Sequence, residues 1–161
     1  CLTPYSVSKT AGEELCKVYY KIYGLETITL RYFNVYGPRE PLKGQYAPVI
    51  GLFKRQTSER KKMTIVGDWL QRRDFTYIDD VVEANICAMK ANHIKHGIYN
   101  VGTGKNYSIH EIASMIKDAV GISHISKRPA EVRETLADIN ATVNDLSWEP
   151  RYSIEDKINS Y

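Results

Sequence analysis

The chain begins, after two residues, with Thr3-Pro4-Tyr5-Ser6-Val7-Ser8-Lys9, and this stretch leads into a helix predicted over residues 6–23. Apolar side chains recur in it at spacings of three and four, as in a helix with one face on a core. They are Val7, Ala11, Leu15, Val18 and Ile22. Glu26-Thr27-Ile28-Thr29-Leu30-Arg31-Tyr32 follows, alternates in polarity and is rich in β-branched residues, so it is predicted to be a strand. A helix followed directly by a strand is half of a βαβ unit and indicates an α/β fold.

Tyr5 and Lys9 lie one helical turn apart in this stretch, so their side chains point the same way. The lysine charge favours the phenolate and is expected to lower the tyrosine pKa from its ordinary value near ~10. Such a tyrosine can take a proton from a sugar hydroxyl and return it. The same spacing also occurs between ordinary surface residues, so the pair alone leaves both interpretations open.

The bulk properties indicate a single globular domain. The 161 residues are 43% hydrophobic and 25% charged, and the net charge of +3 is too small to indicate a nucleic-acid or membrane partner. No apolar run approaches the ~20 residues that span a bilayer. Scattered histidines and an odd number of cysteines predict no metal site, reduced thiols and a cytoplasmic protein.

The segment after the first strand is rich in glycine and proline, and residues 33–48 are predicted to form a loop. A loop of this length that leaves a strand end in an α/β fold is typical of a binding site. A helix is predicted over 48–60 and strands over 63–66 and 75–78, with a turn between them. The basic stretch Lys54–Lys62 is either a solvated surface or a site for an anionic partner.

The second half contains further helix-start signals. Asp80 with Glu83 is predicted to cap a helix over 81–92, and Ser108 with Glu111 to cap a helix over 109–120. Strand 97–101 precedes Gly102-Thr103-Gly104, which is either part of a dinucleotide-binding fingerprint or a tight strand-to-helix turn. Because a third glycine is missing, the turn is favoured.

Six landmarks occur in order along the chain and carry a family resemblance. They are Tyr5-x-x-x-Lys9, Leu30–Arg39, Gly67–Phe75, Tyr77–Val81, Tyr99–Gly104 and Arg128-Pro129-Ala130-Glu131. With them the chain resembles the C-terminal half of extended short-chain dehydrogenases/reductases, in the NAD-dependent nucleotide-sugar epimerase/dehydratase group. The form Arg-Tyr-Phe-Asn-Val-Tyr-Gly-Pro-Arg over residues 31–39 is most similar to that of the UDP-hexose 4-epimerases.

The resemblance implies an acid/base role for Tyr5 at the sugar C4 hydroxyl, with Lys9 on the nicotinamide ribose of NAD. Tyr32 and Val35, at the strand end, would complete the cofactor contacts. Asn34, Arg73 and Arg128 would bind the substrate diphosphate, and Glu131 a ribose hydroxyl. Tyr46 and Val49 would line the nucleotide pocket.

The resemblance also implies the architecture, which is the C-terminal part of a Rossmann-type parallel sheet with a small mixed α/β substrate-binding lobe. Residues 1–35 and 79–103 would belong to the sheet, and residues 36–78 and 104–161 to the lobe. The glycine-rich NAD turn would lie in an N-terminal half outside this sequence. The helix that contains Tyr5 and Lys9 would form a homodimer through its Leu15–Tyr23 face.

Alternative functions remain open. A dehydratase, a decarboxylase or a reductase of the same family would share Tyr5 and Lys9. A non-catalytic nucleotide-sugar binding module would keep Asn34, Arg73 and Arg128, and a basic interaction protein would act through Lys54–Lys62. One departure from the family pattern is Trp69, which stands where a glycine is usual and would be strained at a positive φ.

Overall fold

A computed structural model of the chain describes residues 3–44, 47–67, 69–126 and 132–161. The elements follow in the order α1 (Pro4–Tyr23), β1 (Thr27–Tyr32), β2 (Val35–Tyr36), α2 (Val49–Ser58), β3 (Met63–Val66), β4 (Arg72–Asp74), β5 (Thr76–Tyr77), α3 (Ile78–Lys90), β6 (His96–Val101), β7 (Asn106–Ser108), α4 (Ile109–Met115), β8 (Ile122–Ile125), α5 (Asn140–Leu146) and α6 (Ile154–Lys157). The mixed α/β fold expected from the sequence is confirmed.

Parallel strand pairs form the frame of the fold. β1 pairs with β6 from Thr27 opposite His96 to Tyr32 opposite Val101, β2 pairs with β5, and β3 pairs with β8, all in parallel. Among the described strands, only β4 and β7 pair in the antiparallel direction. Within the described part of the chain, β1 has no strand on its second edge.

Helix α1 begins at a full capping box, in which Thr3 and Ser6 bond each other's backbone N–H groups. The predicted helix is confirmed, but none of its residues is buried, and Leu15 and Ile22 are 59% and 65% exposed. The opposite face, with Glu13 and Tyr20, contacts the β1–β6 pair, where Tyr20 stacks on His96. The stripe of Val7, Ala11, Leu15, Val18 and Ile22 therefore faces away from the sheet.

The predicted role of Asp80 as a helix cap is wrong. α3 begins at Ile78, so Asp80 lies inside its first turn and is buried. Its carboxylate accepts hydrogen bonds from the backbone N–H groups of Arg151 (2.9 Å) and Tyr152 (3.2 Å). Asp80 thus joins α3 to the segment before α6.

The sequence did not predict three short strands, because the strands that pair with them are distant in the chain. β2 lies in the predicted loop, β4 in the predicted turn, and β7 directly before α4. The Ser108–Glu111 capping box is confirmed, but α4 ends at Met115 rather than residue 120. Asn159 ends it, since its side chain accepts from the N–H of Lys117 and donates to the carbonyl of Met115.

Two hydrophobic clusters form the core. The first joins β1, β6 and α3 and includes Val101 and Trp148, whose indole N–H donates to the carbonyl of Asp80 (2.9 Å). The second joins α2, β3 and α4 and includes Ile50, Phe53 and Ile112. Among the described residues, no helix is long and apolar enough to cross a bilayer.

Trp69 follows β3 with a φ of 57°, in the left-handed region that disfavours residues with a Cβ. Its ring lies 4.6 Å from that of His124, centroid to centroid. Substituting Trp69 by Gly or by Ala removes this contact equally, but only glycine relieves the backbone strain. We expect Trp69→Gly to be more stable than Trp69→Ala by about 1 kcal/mol in urea unfolding. An alanine variant of equal or greater stability would contradict the strain.

Candidate active site

A cavity of about 680 Å³ lies between α2, β3 and the start of β2. This volume is in the range typical of small-molecule sites. Among the described residues that line it, Arg55 and Arg73 are positive and none carries a carboxylate. Asn34, Gln56 and Gln71 supply side-chain amides. The cavity therefore suits an anionic ligand of nucleotide size that also has hydrogen-bonding groups.

The structure brings four of the predicted site residues to this cavity, which are Asn34, Val35, Val49 and Arg73. Tyr46, Arg128 and Glu131 lie outside the described residues. Tyr5, Lys9 and Tyr32 lie elsewhere, on α1 and at the end of β1.

Arg73 and Asn34 are both oriented by backbone carbonyl groups. The Arg73 guanidinium donates to the carbonyls of Arg72 (2.8 Å) and Arg133 (3.3 Å). The Asn34 amide nitrogen donates to the carbonyl of Asp74 (2.8 Å), and its φ of 27° falls in a region that asparagine tolerates. These bonds fix both side chains at the cavity wall.

The sequence predicted the start of α2, at Val49, as part of the pocket, but it missed the rest of the helix. Leu52 and Gln56 share the cavity-facing side of this helix with Val49, at helical spacing, while Phe53 faces the core. Gln56 bonds both the hydroxyl (2.8 Å) and the backbone N–H (3.0 Å) of Thr64. The spacing of these residues from Val49 was the signal that could have identified them.

The basic stretch Lys54–Lys62 does not present one continuous charged surface. Arg55 lines the cavity and lies 3.7 Å from Glu59, measured from Nη1 to Oε1. Lys61 pairs with the same carboxylate at 2.9 Å. Lys54 donates to the carbonyl of Tyr161 (3.0 Å).

Tyr5 and Lys9 share one side of the first turns of α1. The Lys9 ammonium nitrogen lies 5.4 Å from the centre of the Tyr5 ring, and Tyr5 is 68% exposed. Their predicted proximity is therefore confirmed. The Tyr32 hydroxyl donates to Asn85 (2.9 Å), so the side chain at the end of β1 is held against α3.

The Gly102-Thr103-Gly104 turn binds a carboxylate of the protein itself. Asp74 is fully buried, and it accepts from the N–H (2.8 Å) and hydroxyl (2.8 Å) of Thr103, and from the N–H groups of Gly104 (3.0 Å) and Ala137 (3.1 Å). The N–H groups that a dinucleotide phosphate would need in this turn are thus already used. The tight-turn interpretation of the sequence is the correct one.

Comparison with known proteins gives consistent matches over nearly the whole chain. The model of the NAD dependent epimerase/dehydratase family matches residues 2–102. A UDP-glucuronate 4-epimerase of Thermodesulfobacterium geofontis (strain OPF15) is 37% identical over 160 residues, which are 96% of this chain and 48% of that protein. UDP-glucuronic acid decarboxylase 1 of Arabidopsis thaliana is 31% identical over 156 residues, which are 94% of this chain and 35% of that protein.

Solved structures agree with these matches. A UDP-glucuronic acid 4-epimerase from Bacillus cereus, in complex with UDP-glucuronic acid and NAD, superposes with a TM-score of 0.88 at 32% identity. The match covers 99% of this chain and 51% of that one. The chain therefore spans about half or less of the length of these relatives.

The attachment of α1 to β1 is expected to depend on pH. Arg31 forms two hydrogen bonds to Glu13 (2.7 and 2.5 Å), and these hold the pKa of the Glu13 carboxyl below its ordinary value. Because the folded-state pKa lies below the unfolded-state pKa, the ion pair contributes its full stability above the unfolded-state pKa. This contribution is lost as the pH falls through the folded-state pKa. At pH 7 we expect Glu13→Gln to cost about 0.5–1 kcal/mol in urea unfolding, and the difference from the wild type to be smaller at pH 3.

Glu14→Gln is the matched control, because Glu14 pairs only with Lys17 on the exposed side of the same helix (3.2 Å). It should change stability by no more than a few tenths of a kcal/mol at either pH. A Glu13→Gln difference that is the same at both pH values would contradict the expected role of the ion pair.

Proposed function

Since the chain belongs to the NAD dependent epimerase/dehydratase family, we propose that it carries the UDP-sugar cavity and the acid/base pair of a 4-epimerase. The reaction would invert C4 of a UDP-hexose through a 4-keto sugar. The observation that supports this proposal is the cavity of about 680 Å³, whose described lining has two arginines, three side-chain amides and no carboxylate. An epimerase is favoured over a decarboxylase because the form of residues 31–39 is most similar to that of the UDP-hexose 4-epimerases.

In this proposal the cavity binds the nucleotide diphosphate. Arg73 supplies a planar group of N–H donors, which matches phosphate oxygens in pairs. Asn34 contributes its amide beside it, and Val49 lines the apolar part of the wall. Tyr46, Arg128 and Glu131 remain proposed contacts to the nucleotide.

Tyr5 is the proposed acid/base. As a base, its phenolate oxygen would take the proton of the C4 hydroxyl, and the phenol so formed would return the proton after the keto sugar has turned its other face. Lys9, one turn away, places its ammonium nitrogen 5.4 Å from the centre of the Tyr5 ring. NAD, when bound, would supply the hydride acceptor at C4 and return the hydride to the opposite face.

The described residues fit one end of NAD. The Tyr5 hydroxyl and the Lys9 ammonium are exposed on the same side of α1, where they suit the nicotinamide ribose, and Tyr32 and Val35 would contact the nicotinamide. The pyrophosphate has no counterpart in the Gly102–Gly104 turn, whose N–H groups bind Asp74. The residues present therefore account for the nicotinamide end alone.

A second candidate is a nucleotide-sugar binding module without turnover. It is favoured by one observation, which is that the cavity is formed within the described chain whereas Tyr5 and Lys9 do not line it. Calorimetric titration with UDP and with NAD, each alone, separates the two candidates. UDP binding without NAD binding supports the module, and turnover of a UDP-hexose with added NAD supports the enzyme.

Two variants should affect different steps of the proposed reaction. Arg73→Ala removes a diphosphate ligand and should weaken UDP binding at least roughly tenfold, as for other hydrogen bonds to charged groups. Tyr5→Phe removes the transferable proton and should lower turnover by about 10²–10⁴-fold with unchanged UDP affinity. Calorimetry measures the first effect, and product analysis with added NAD the second.

Arg151→Ala is the control for Arg73, because Arg151 borders a different cavity and its replacement removes the same charge. It should leave UDP affinity within about twofold of the wild type. Equal weakening by both arginine variants, or no UDP binding by the wild type, would contradict the proposed site.

We also propose that two copies pair through the exposed stripe of α1, along its Leu15–Tyr23 face. Leu15, Tyr19, Ile22 and Tyr23 are each at least half exposed, which is costly for large apolar side chains on one helix. Sedimentation should show a dimer that Leu15→Lys dissociates. Val120→Lys, at an exposed position outside α1, should leave the dimer intact.

A further inference from the structure

We propose that Asp74 is the positioning residue that assembles the diphosphate-binding wall of the cavity. The inference rests on the proposed function of that cavity. Asp74 follows Arg73 in β4, so the two side chains point to opposite faces of the strand. Arg73 reaches the cavity, whereas the Asp74 carboxylate is fully buried on the other side.

The carboxylate joins β4 to two other segments of the chain. Its oxygens accept from Thr103 and Gly104 in the turn after β6, and from Ala137 in the segment before α5. The same segment runs beside β4, because the N–H of Arg72 donates to the carbonyl of Arg133 (2.9 Å) and Thr135 donates back to Arg72 (3.0 Å). Asp74 therefore fixes the position of the segment whose Arg133 carbonyl orients the Arg73 guanidinium.

The backbone of Asp74 extends this connection to the other polar residue of the wall. Its carbonyl accepts from the Asn34 amide (2.8 Å), and the Thr135 hydroxyl lies 3.4 Å both from that amide nitrogen and from the Asp74 backbone nitrogen. Space is tight around the carboxylate, since a Cβ on Gly102 would lie 2.3 Å from Ala137 Cβ. A small displacement of Asp74 would thus move Asn34 and Arg73 together.

The test is Asp74→Asn, with Asp80→Asn as a matched control. Both carboxylates are buried and accept hydrogen bonds from backbone N–H groups, but the donors to the Asp80 carboxylate lie in the segment before α6. Both variants should unfold at lower urea concentration. UDP titration at a temperature where both are folded should show at least roughly tenfold weaker binding for Asp74→Asn and about unchanged binding for Asp80→Asn. Equal UDP affinities for the two variants would overturn the proposal.

Thr103→Val provides a milder variant in case Asp74→Asn does not fold. It removes one hydroxyl donor from the carboxylate and keeps Asp74 itself. We expect a smaller loss of UDP affinity in the same direction, and no loss would overturn the proposal.

Amide hydrogen exchange tests the assembly without a ligand. Asp74→Asn should speed exchange in residues 33–36, 102–105 and 132–139 together, whereas Asp80→Asn should speed it around residues 149–153. Unchanged exchange in the first three segments would overturn the role of Asp74. Absence of UDP binding by the wild type would instead remove the proposed function, and the exchange result would still decide whether Asp74 holds these segments.

Discussion

The buried carboxylate of Asp74 is the constraint on which much of this structure depends. A carboxyl group away from water is costly unless hydrogen-bond donors surround it, and here four donors from two distant segments do so. These hydrogen bonds require the turn after β6 and the segment before α5 to meet β4. The antiparallel pairing of β4 with β7 keeps the strand in place on its other edge. One buried side chain thus gives three segments a single mutual arrangement.

The proposed binding cavity and the proposed acid/base pair have different structural support in this chain. The cavity wall consists of short strands and α2, with Gln56 bonded twice to Thr64 and Arg73 bonded to backbone carbonyls. The Tyr5–Lys9 pair lies on a helix without a buried residue, which contacts the β1–β6 pair through Glu13–Arg31 and Tyr20–His96. The cavity wall is therefore held by several hydrogen bonds. The helix that contains Tyr5 and Lys9 depends on a few contacts along one of its faces.

The sequence predicted the features that depend on residues close together in the chain. Strand β3 was predicted with its observed limits, and the Ser108–Glu111 capping box follows from spacing alone.

Contacts between residues far apart in the chain were not predictable. β4 is a strand because β7 lies opposite it, and Asp80 is buried because Arg151 and Tyr152 donate to it rather than because it caps a helix. The apolar pattern of α1 was identified correctly, but periodicity shows only that a face is apolar and does not show what covers it. The resemblance identified Asn34 and Arg73, whereas Arg55 and Gln56 depended on how α2 turns toward the cavity.

The Gly-x-Gly turn shows why such a motif cannot be interpreted without its surroundings. Converging backbone N–H groups bind an anion whether it is the phosphate of a cofactor or a carboxylate of the protein. Here the sequence places Asp74 within reach, so the internal anion binds. Both positions of this turn favour glycine, for different reasons. Gly104 adopts a φ of 69°, and a side chain on Gly102 would collide with Ala137. The motif is therefore part of the packing that supports the cavity wall, and its resemblance to a dinucleotide turn reflects the shared physics of anion binding rather than a shared ligand.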